Sequence, residues 1–510
     1  MVVTRITLFF LLISSFSPLV LSRRHVSHAT TATLDVSDVL TKTAQVLTFD
    51  PESTKQQYLF KQDEEKDSTT ALSEFTIKLH PRDSLRRMSH KDYGSLTLSR
   101  LRRDTARVEA LTARLNLANN DVQRSDLKPL LLDEETVAYT ESAGGGAMQG
   151  PVVSGTSQGS GEYFSRVSIG QPPKPMYMVL DTGSDVTWVQ CQPCTDCYQQ
   201  ADPVFVPTSS TSFSTLSCDA SQCASLDISA CRNSTCLYQV AYGDGSYTVG
   251  DFVTDTVTFG DSGNSVNSMA FGCGHNNQGL FVAAAGLLGL GGGPLSFPSQ
   301  LSATDFSYCL VDRDSSSTST LEFGRNGDGF SSSASSSGGI IAPLLKNKKM
   351  ATFYYVGVTG MSVGGTLLSI PPSSFAMDEA GNGGIIIDSG TAVTRLKPDV
   401  YSVLRDAFKE GMTSLPSAGS VALFDTCYDL SSLKTIEVPT VAFNFPEGKV
   451  LKLPAKNYVI PVDSAGTFCF AFAPTSSSSG LSIIGNVQQQ GTRVNFDIDN
   501  GHVGFAPNKC

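Results

Sequence analysis

Met178-Val179-Leu180-Asp181-Thr182-Gly183-Ser184 returns 207 residues later as Ile385-Ile386-Ile387-Asp388-Ser389-Gly390-Thr391. Each copy has three apolar residues, then an aspartate, then hydroxyl, Gly and hydroxyl. The apolar run buries a short strand, and the Gly turn delivers the carboxyl at its end. An apolar-apolar-Gly element follows each copy, Leu287-Leu288-Gly289 after the first and Ile483-Ile484-Gly485 after the second. Two homologous lobes with one aspartate each are expected. The triplet alone is a weak signal, since composition predicts on the order of 0.2 chance hits in a chain this long. Asp261-Ser262-Gly263 is the internal control: Phe259-Gly260 precedes it and Asn264 follows it, so it reads as a plain turn.

A carboxylate at the end of a buried strand is costly unless hydroxyls and amides bond it. Thr182 and Ser184 are placed to do so in one turn, Ser389 and Thr391 in the other. If the lobes meet about a pseudo-twofold axis, the two acids face each other and share a proton. The ionised one can then take a proton from water while the protonated one donates to a carbonyl oxygen. That is general acid and base hydrolysis of an amide with no metal and no cofactor.

The 510 residues are 17% charged and 40% hydrophobic, which suits a globular protein and excludes wholesale disorder. Residues 1–150 carry 19 basic and 19 acidic side chains, residues 151–510 carry 18 and 29, so the net charge of -11 belongs to the second part. An acidic body makes nucleic acid a poor partner. From Pro151 the texture is all-β, with strands expected at Tyr163–Ile169, Met176–Leu180, Phe252–Phe259, Phe353–Val358, Val438–Phe445 and Thr492–Ile498. The clearest helix there is Pro398–Glu410, and the Ser-rich stretch Ser315–Ser337 should be a loop. The apolar stretch Gly279–Phe297 is broken by six Gly and suits turns in a core rather than a membrane span. Its GLLGLGGG run lacks the Lys of a phosphate loop and completes no GxGxxG, so nucleotide binding is not expected.

The amino-terminal part is a different object. Arg5 precedes an apolar run of eight residues, Ile6–Ile13, too short to span a bilayer, and residues 1–22 read as a signal peptide. Residues 23–70 are polar and patternless and read as flexible chain. Near 96–118, Leu101, Val108, Leu111 and Leu115 keep helical spacing among Arg100, Arg102, Arg103, Arg107 and Arg114. Such a basic amphipathic helix either packs with solvated arginines or covers an acidic site until it is cut away. The Gly-rich Ala143–Gly150 offers a place for the cut.

On these motifs the chain resembles the pepsin-like aspartic proteases, within them the plant nepenthesin-type branch, close to the aspartic protease in guard cell group. The resemblance implies a mainly β, bilobal fold with the active site in the cleft between two β-rich lobes, residues 151–340 and 341–510, behind a propeptide at 23–150. It implies Asp181 and Asp388 as the catalytic pair, with Thr182, Gly183, Ser184, Ser389, Gly390 and Thr391 in support. Tyr242-Gly243-Asp244-Gly245-Ser246 matches the substrate-covering flap, Gly243 and Asp244 its backbone contacts to substrate, and Trp188 the indole that bonds the flap Tyr242. Partners would be a protein or peptide substrate and the chain's own propeptide. A monomer is expected, with no membrane contact once the signal is removed. The saposin-like insert of typical plant relatives is missing, so the address implied is the secretory pathway, foremost the apoplast, with the endoplasmic reticulum or vacuole on the same route. The rival function is a binding or inhibitor protein on the same fold, as xylanase-inhibitor relatives are; those break the Asp pair, which is intact here.

All twelve Cys lie between Cys191 and Cys510, an even number that fits disulfides in an oxidising lumen. No metal is expected, since the six His form no paired cluster. Nine Cys lie at or before Cys309 and three at or after Cys427, so full pairing needs an odd number of bonds between the groups. Spacing suggests Cys223–Cys231 inside Cys218–Cys236, and Cys427–Cys469, leaving Cys510 to cross. The family resemblance implies Cys309 as the partner of Cys510, with Cys191–Cys194 and Cys197–Cys273 completing the set. Asn233-Ser234-Thr235 is a glycosylation acceptor in a surface loop.

Overall fold

Alternating and continuous apolar runs become strands wherever one or both faces can be buried. The first of the body, β3 (Tyr163–Ile169), pairs antiparallel with β4 (Lys174–Asp181), which is buried from Met178 to its final aspartate. The computed structural model describes residues 30–48, 75–81, 90–119, 163–242, 246–259, 263–279, 284–315, 317–324, 339–476, 480–507 and 510. The expected signal peptide, the expected cut site at Ala143–Gly150, Gly243, Asp244, Gly245, Asp261 and Ser262, and residues 316 and 325–337 lie outside them. The stretch Ser315–Ser337, expected to be a loop, instead holds the strand Ser319–Gly324, where Leu321 and Phe323 are buried between two neighbouring strands.

The apolar-apolar-Gly elements are the partners of the aspartate-bearing strands. Gly286–Gly289 runs parallel to β4 with Gly289 opposite Asp181, and Ser482–Ile484 runs parallel to Ile385–Ile387. The glycine is required by crowding: a Cβ on Gly289 would stand 2.3 Å from the Asp185 carbonyl, and one on Gly485 would stand 2.5 Å from that of Ala392. Each lobe therefore repeats one device. The lobes are joined by a continuous antiparallel sheet through Ser319–Gly324, Asp305–Cys309, Thr492–Asp497, His502–Pro507 and Ile340–Leu345. Phe306 and Phe496 stack at 4.6 Å in the core beneath it. Among the described residues no helix is long and apolar enough to cross a membrane.

The expected strands are present, with Val438–Phe445 divided between Thr435–Pro439 and Val441–Asn444, and Phe353–Val358 reduced to Tyr355–Val356. Helix Pro398–Glu410 has its expected limits. Residues 23–70 are not uniformly patternless chain. Within them β1 (Thr31–Asp35) pairs antiparallel with Thr435–Pro439 in a two-stranded sheet, and α1 (Val36–Thr48) follows. Leu34, Val36 and Thr43 are buried there, a spacing diluted by the Thr, Lys and Asp around it. The strand β2 (Phe75–Pro81) also went unread, although Phe75, Ile77 and Leu79 alternate with polar residues. It enters the joining sheet between β3 and Ser319–Gly324, so the amino-terminal part is woven into the body.

Two disulfides pair as expected, Cys309–Cys510 and Cys427–Cys469. The other four differ: Cys191–Cys273, Cys194–Cys197, Cys218–Cys231 and Cys223–Cys236 replace Cys191–Cys194, Cys197–Cys273, Cys218–Cys236 and Cys223–Cys231. Burial is the reason. Cys191 and Cys273 sit inside where β5 (Trp188–Gln190) runs parallel to Gly272–Gly274, while Cys194 and Cys197 remain in the outer loop. Cys231 and Cys236 are opposite one another across a hairpin, so neither nested nor crossed pairing is favoured by loop length. The short helix Ser221–Ala224 turns Cys223 inward to the buried Cys236, leaving Cys218 for the exposed Cys231. Asn233 and Ser234 form the exposed tip of that hairpin, both with positive φ, which suits a two-residue turn. Peptide mapping without reduction is expected to recover Cys218 joined to Cys231 and Cys191 joined to Cys273; recovery of Cys218 joined to Cys236 would contradict this packing.

Candidate active site

Asp181 ends β4 and Asp388 follows Ile385–Ile387, so both carboxyls arrive at the buried carboxyl ends of strands. Each is held by its own turn. Gly183 N donates to Asp181 Oδ1 at 2.9 Å and Ser184 Oγ to Oδ2 at 2.6 Å. Gly390 N donates to Asp388 Oδ1 at 3.3 Å and Thr391 Oγ1 to Oδ2 at 2.6 Å. The middle hydroxyls do something the local motif does not reveal: they cross between lobes. Thr182 Oγ1 donates to Asp388 Oδ1 at 3.1 Å and accepts from Ser389 N at 2.9 Å, while Ser389 Oγ accepts from Thr182 N at 3.4 Å. This reciprocal bonding places the two carboxyls face to face. Trp188 Nε1 donates to the Tyr242 hydroxyl at 2.8 Å, and burial pushes that phenol's pKa up. Gly243 and Asp244 fall outside the described residues.

The space between the carboxylates is occupied from within the chain. The helix α2 (Tyr93–Asn119) lies in the cleft, and Arg107 Nη2 donates to both Asp181 Oδ1 and Asp388 Oδ1, while its Nε donates to Asp388 Oδ2 at 2.7 Å. Gly183 and Gly390 permit the approach, since a Cβ on Gly390 would lie 2.3 Å from the Arg107 guanidinium carbon. Burial lowers the guanidinium's proton affinity, but the charges and hydrogen bonds of both aspartates raise it by more. Burial pushes Asp388 up, and Arg107, Thr391 and Gly390 together hold it below its ordinary 3.8.

Arg107 does not act alone. Leu101, Val108, Leu111 and Leu115 are buried, as helical spacing predicts, with Leu111 and Leu115 packed against Phe353, Tyr355 and Ile483. The arginines are not a solvated face: Arg100, Arg103 and Arg107 are buried and Arg102 is exposed. Arg100 and Tyr93 both bond Asp314, at 2.9 and 2.6 Å, and Arg114 donates to the Gly183 carbonyl at 2.7 Å. Asp314 is pushed up by burial and pulled further down by Arg100, Arg313 and the Tyr93 hydroxyl. Asp104, Asp314 and Arg395 escaped sequence reasoning; a lone acid inside the basic run Leu101–Arg107 was the available signal for the first.

Two family profiles match, described as xylanase inhibitor N-terminal over residues 163–325 and xylanase inhibitor C-terminal over residues 353–507. Aspartyl protease family protein 2 of Arabidopsis thaliana is 47% identical over 475 residues, 92% of each chain. Protein aspartic protease in guard cell 2, also from Arabidopsis thaliana, is 45% identical over 446 residues, 87% of this chain and 89% of that one. The chain belongs to the aspartic protease family. Nepenthesin-1 of Nepenthes gracilis is 42% identical to this protease over 355 residues, 69% of this chain and 79% of that one. Two solved structures share its fold: edgp, with TM-score 0.57 at 21% identity, and lupine conglutin gamma, with TM-score 0.54 at 22%, each covering 68% of this chain and 91% and 92% of theirs.

A carboxyl whose pKa is lowered in the closed state stabilises that state at higher pH, and the contribution is lost as pH falls through the lowered value. Asp388 and Asp314 both carry this sign and both face α2. Hydrogen exchange of residues 93–119 should therefore stay slow at neutral pH and rise below about pH 4. Arg107→Gln should move that opening upward in pH, because the facing carboxylates then repel with no cation between them; an unchanged midpoint would contradict the clamp.

Proposed function

We propose that this protease is made as a secretory-pathway zymogen and hydrolyses peptide bonds with a water activated between Asp181 and Asp388. The observation that carries the reading is the single guanidinium bonded by both carboxylates: a site that holds one cationic nitrogen between two acids will, once vacated, hold a water there. The ionised carboxylate takes a proton from that water as its oxygen attacks the scissile carbonyl, and the protonated partner donates to the carbonyl oxygen. The carboxyl that took the water proton then gives it to the leaving nitrogen while its ionised partner takes a proton from a hydroxyl of the tetrahedral intermediate, so the C–N bond breaks, the carbonyl re-forms and the two carboxyls again share one proton. Thr182, Ser184, Ser389 and Thr391 hold the pair, and Tyr242, fixed by Trp188, stands over the cleft beside Asp181 and Gly183.

Residues 1–22 act as the signal peptide and 23–150 as the propeptide in this reading, with α2 as its inhibitory element. Protein and peptide substrates follow from the relatives, and the disulfide-rich body suits an extracellular setting. The binding-only alternative draws on the inhibitor name of the family profiles, but both aspartates, their supporting hydroxyls and the Trp188–Tyr242 bond are intact.

Asp181→Asn and Asp388→Asn each keep the side chain's size while removing the shared proton. Each should lower kcat on a denatured protein by about a thousandfold or more without lowering expression as a folded chain; near wild-type turnover in either would defeat the assignment. The active form released at acid pH should begin, by amino-terminal sequencing, beyond Arg107. An active, fully accessible enzyme that still carries Arg107 covalently would defeat the zymogen reading.

A further inference from the structure

One turn before Arg107 on the same face of α2, Asp104 enters a second site. Its Oδ1 accepts from the backbone amides of Ala392 at 2.5 Å and Val393 at 3.2 Å, and its Oδ2 from Arg395 Nη2 at 2.5 Å. Asp104 and Arg395 are 3% and 4% exposed. Three donors from one short stretch just past Asp388 thus converge on one carboxylate.

The donors belong to the body and are fixed there without α2. Asn486 N donates to the Thr391 carbonyl at 2.7 Å and Val487 N to that of Ala392 at 3.1 Å. Gln488 Oε1 accepts from both Thr394 N and Thr394 Oγ1. Arg395 lies on Thr394–Leu396, opposite Ala473 and Ile483 of two neighbouring strands, and its Nη1 reaches the Val393 carbonyl at 3.4 Å. The carboxylate, in contrast, belongs to the segment that activation removes. Departure of α2 leaves a guanidinium and two amides aimed into the cleft, beside the dyad.

We propose that Arg395 and the amides of Ala392 and Val393 form a receptor for a substrate carboxylate, so that the protease selects peptides with Asp or Glu at one fixed position beside the scissile bond. The inference rests on the protease reading and adds its substrate class. An ionised side chain restores the pairing that Asp104 supplied; an amide leaves the guanidinium without its anion, and a lysine repels it. The planar guanidinium suits a carboxylate better than a lysine ammonium would. On this reading α2 mimics substrate twice, with Arg107 in the place of water and Asp104 in the place of an acidic side chain.

The test uses enzyme released from the full-length precursor and matched peptides carrying Glu, Gln or Lys at each position in turn around one cleaved bond, at about pH 5–6, where Glu is ionised. The kcat/KM ratio of Glu to Gln peptides should reach about tenfold or more at a single position. It should collapse toward one in Arg395→Gln, whatever the absolute rates, and be partly kept in Arg395→Lys. A wild-type ratio below about twofold at every position, or a ratio that survives in Arg395→Gln, overturns the receptor while leaving proteolysis intact. If Arg395→Gln does not fold, the wild-type scan decides. Cleavage of none of the peptides would overturn the protease reading and this inference together.

Discussion

The guanidinium of Arg107 between Asp181 and Asp388 is the interaction on which the closed chain depends. Two carboxylates facing each other in a buried site repel, and each alone would be a costly buried charge. A single planar cation answers both, so the repulsion between the two carboxylates is replaced by their common attraction to α2. Removing one member of such a buried group typically costs about 3–5 kcal/mol, which explains why the helix must be seated by more than charge. Leu101, Val108, Leu111 and Leu115 supply that seat, and Arg100 with Asp314 anchors the helix at its other end.

Close approach is the second constraint. The guanidinium can reach the carboxylates because Gly183 and Gly390 leave no Cβ in its path, and the chain just past each aspartate turn, at Asp185 and at Ala392, can lie against the neighbouring element because Gly289 and Gly485 leave no Cβ there. The two aspartate turns are then locked to each other by Thr182 and Ser389. Each lobe is thereby required to complete the other's site. The joining sheet, into which β2 is inserted, holds the lobes at the separation this bonding needs.

Several site features were legible from residue type and spacing. The repeated apolar-Asp-hydroxyl-Gly-hydroxyl pattern singled out Asp181 and Asp388 over Asp261, because burial of the preceding strand and support of the carboxyl are local properties. Helical spacing of Leu101, Val108, Leu111 and Leu115 likewise revealed α2. The strand β2 carried a readable alternation, but only seven residues long in a polar neighbourhood, and β1 has as its pairing partner a strand some 400 residues away in sequence.

What the sequence by itself determined, then, is whatever a few neighbouring residues can dictate: two buried strands ending in tight carboxyl turns, a basic amphipathic helix, and the parity that forces a disulfide between the two cysteine groups. Tertiary structure alone decided which cysteines meet, since Cys191 with Cys273 and Cys223 with Cys236 pair by shared burial and not by loop length. It decided that Arg107 rather than Arg100 or Arg114 enters the dyad, and that Asp104 meets Arg395, 291 residues away. Those choices depend on how a helix lies across a cleft built by two distant halves of the chain, and the direction in which a side chain points into that cleft is a property of the packed lobes, not of its sequence neighbours.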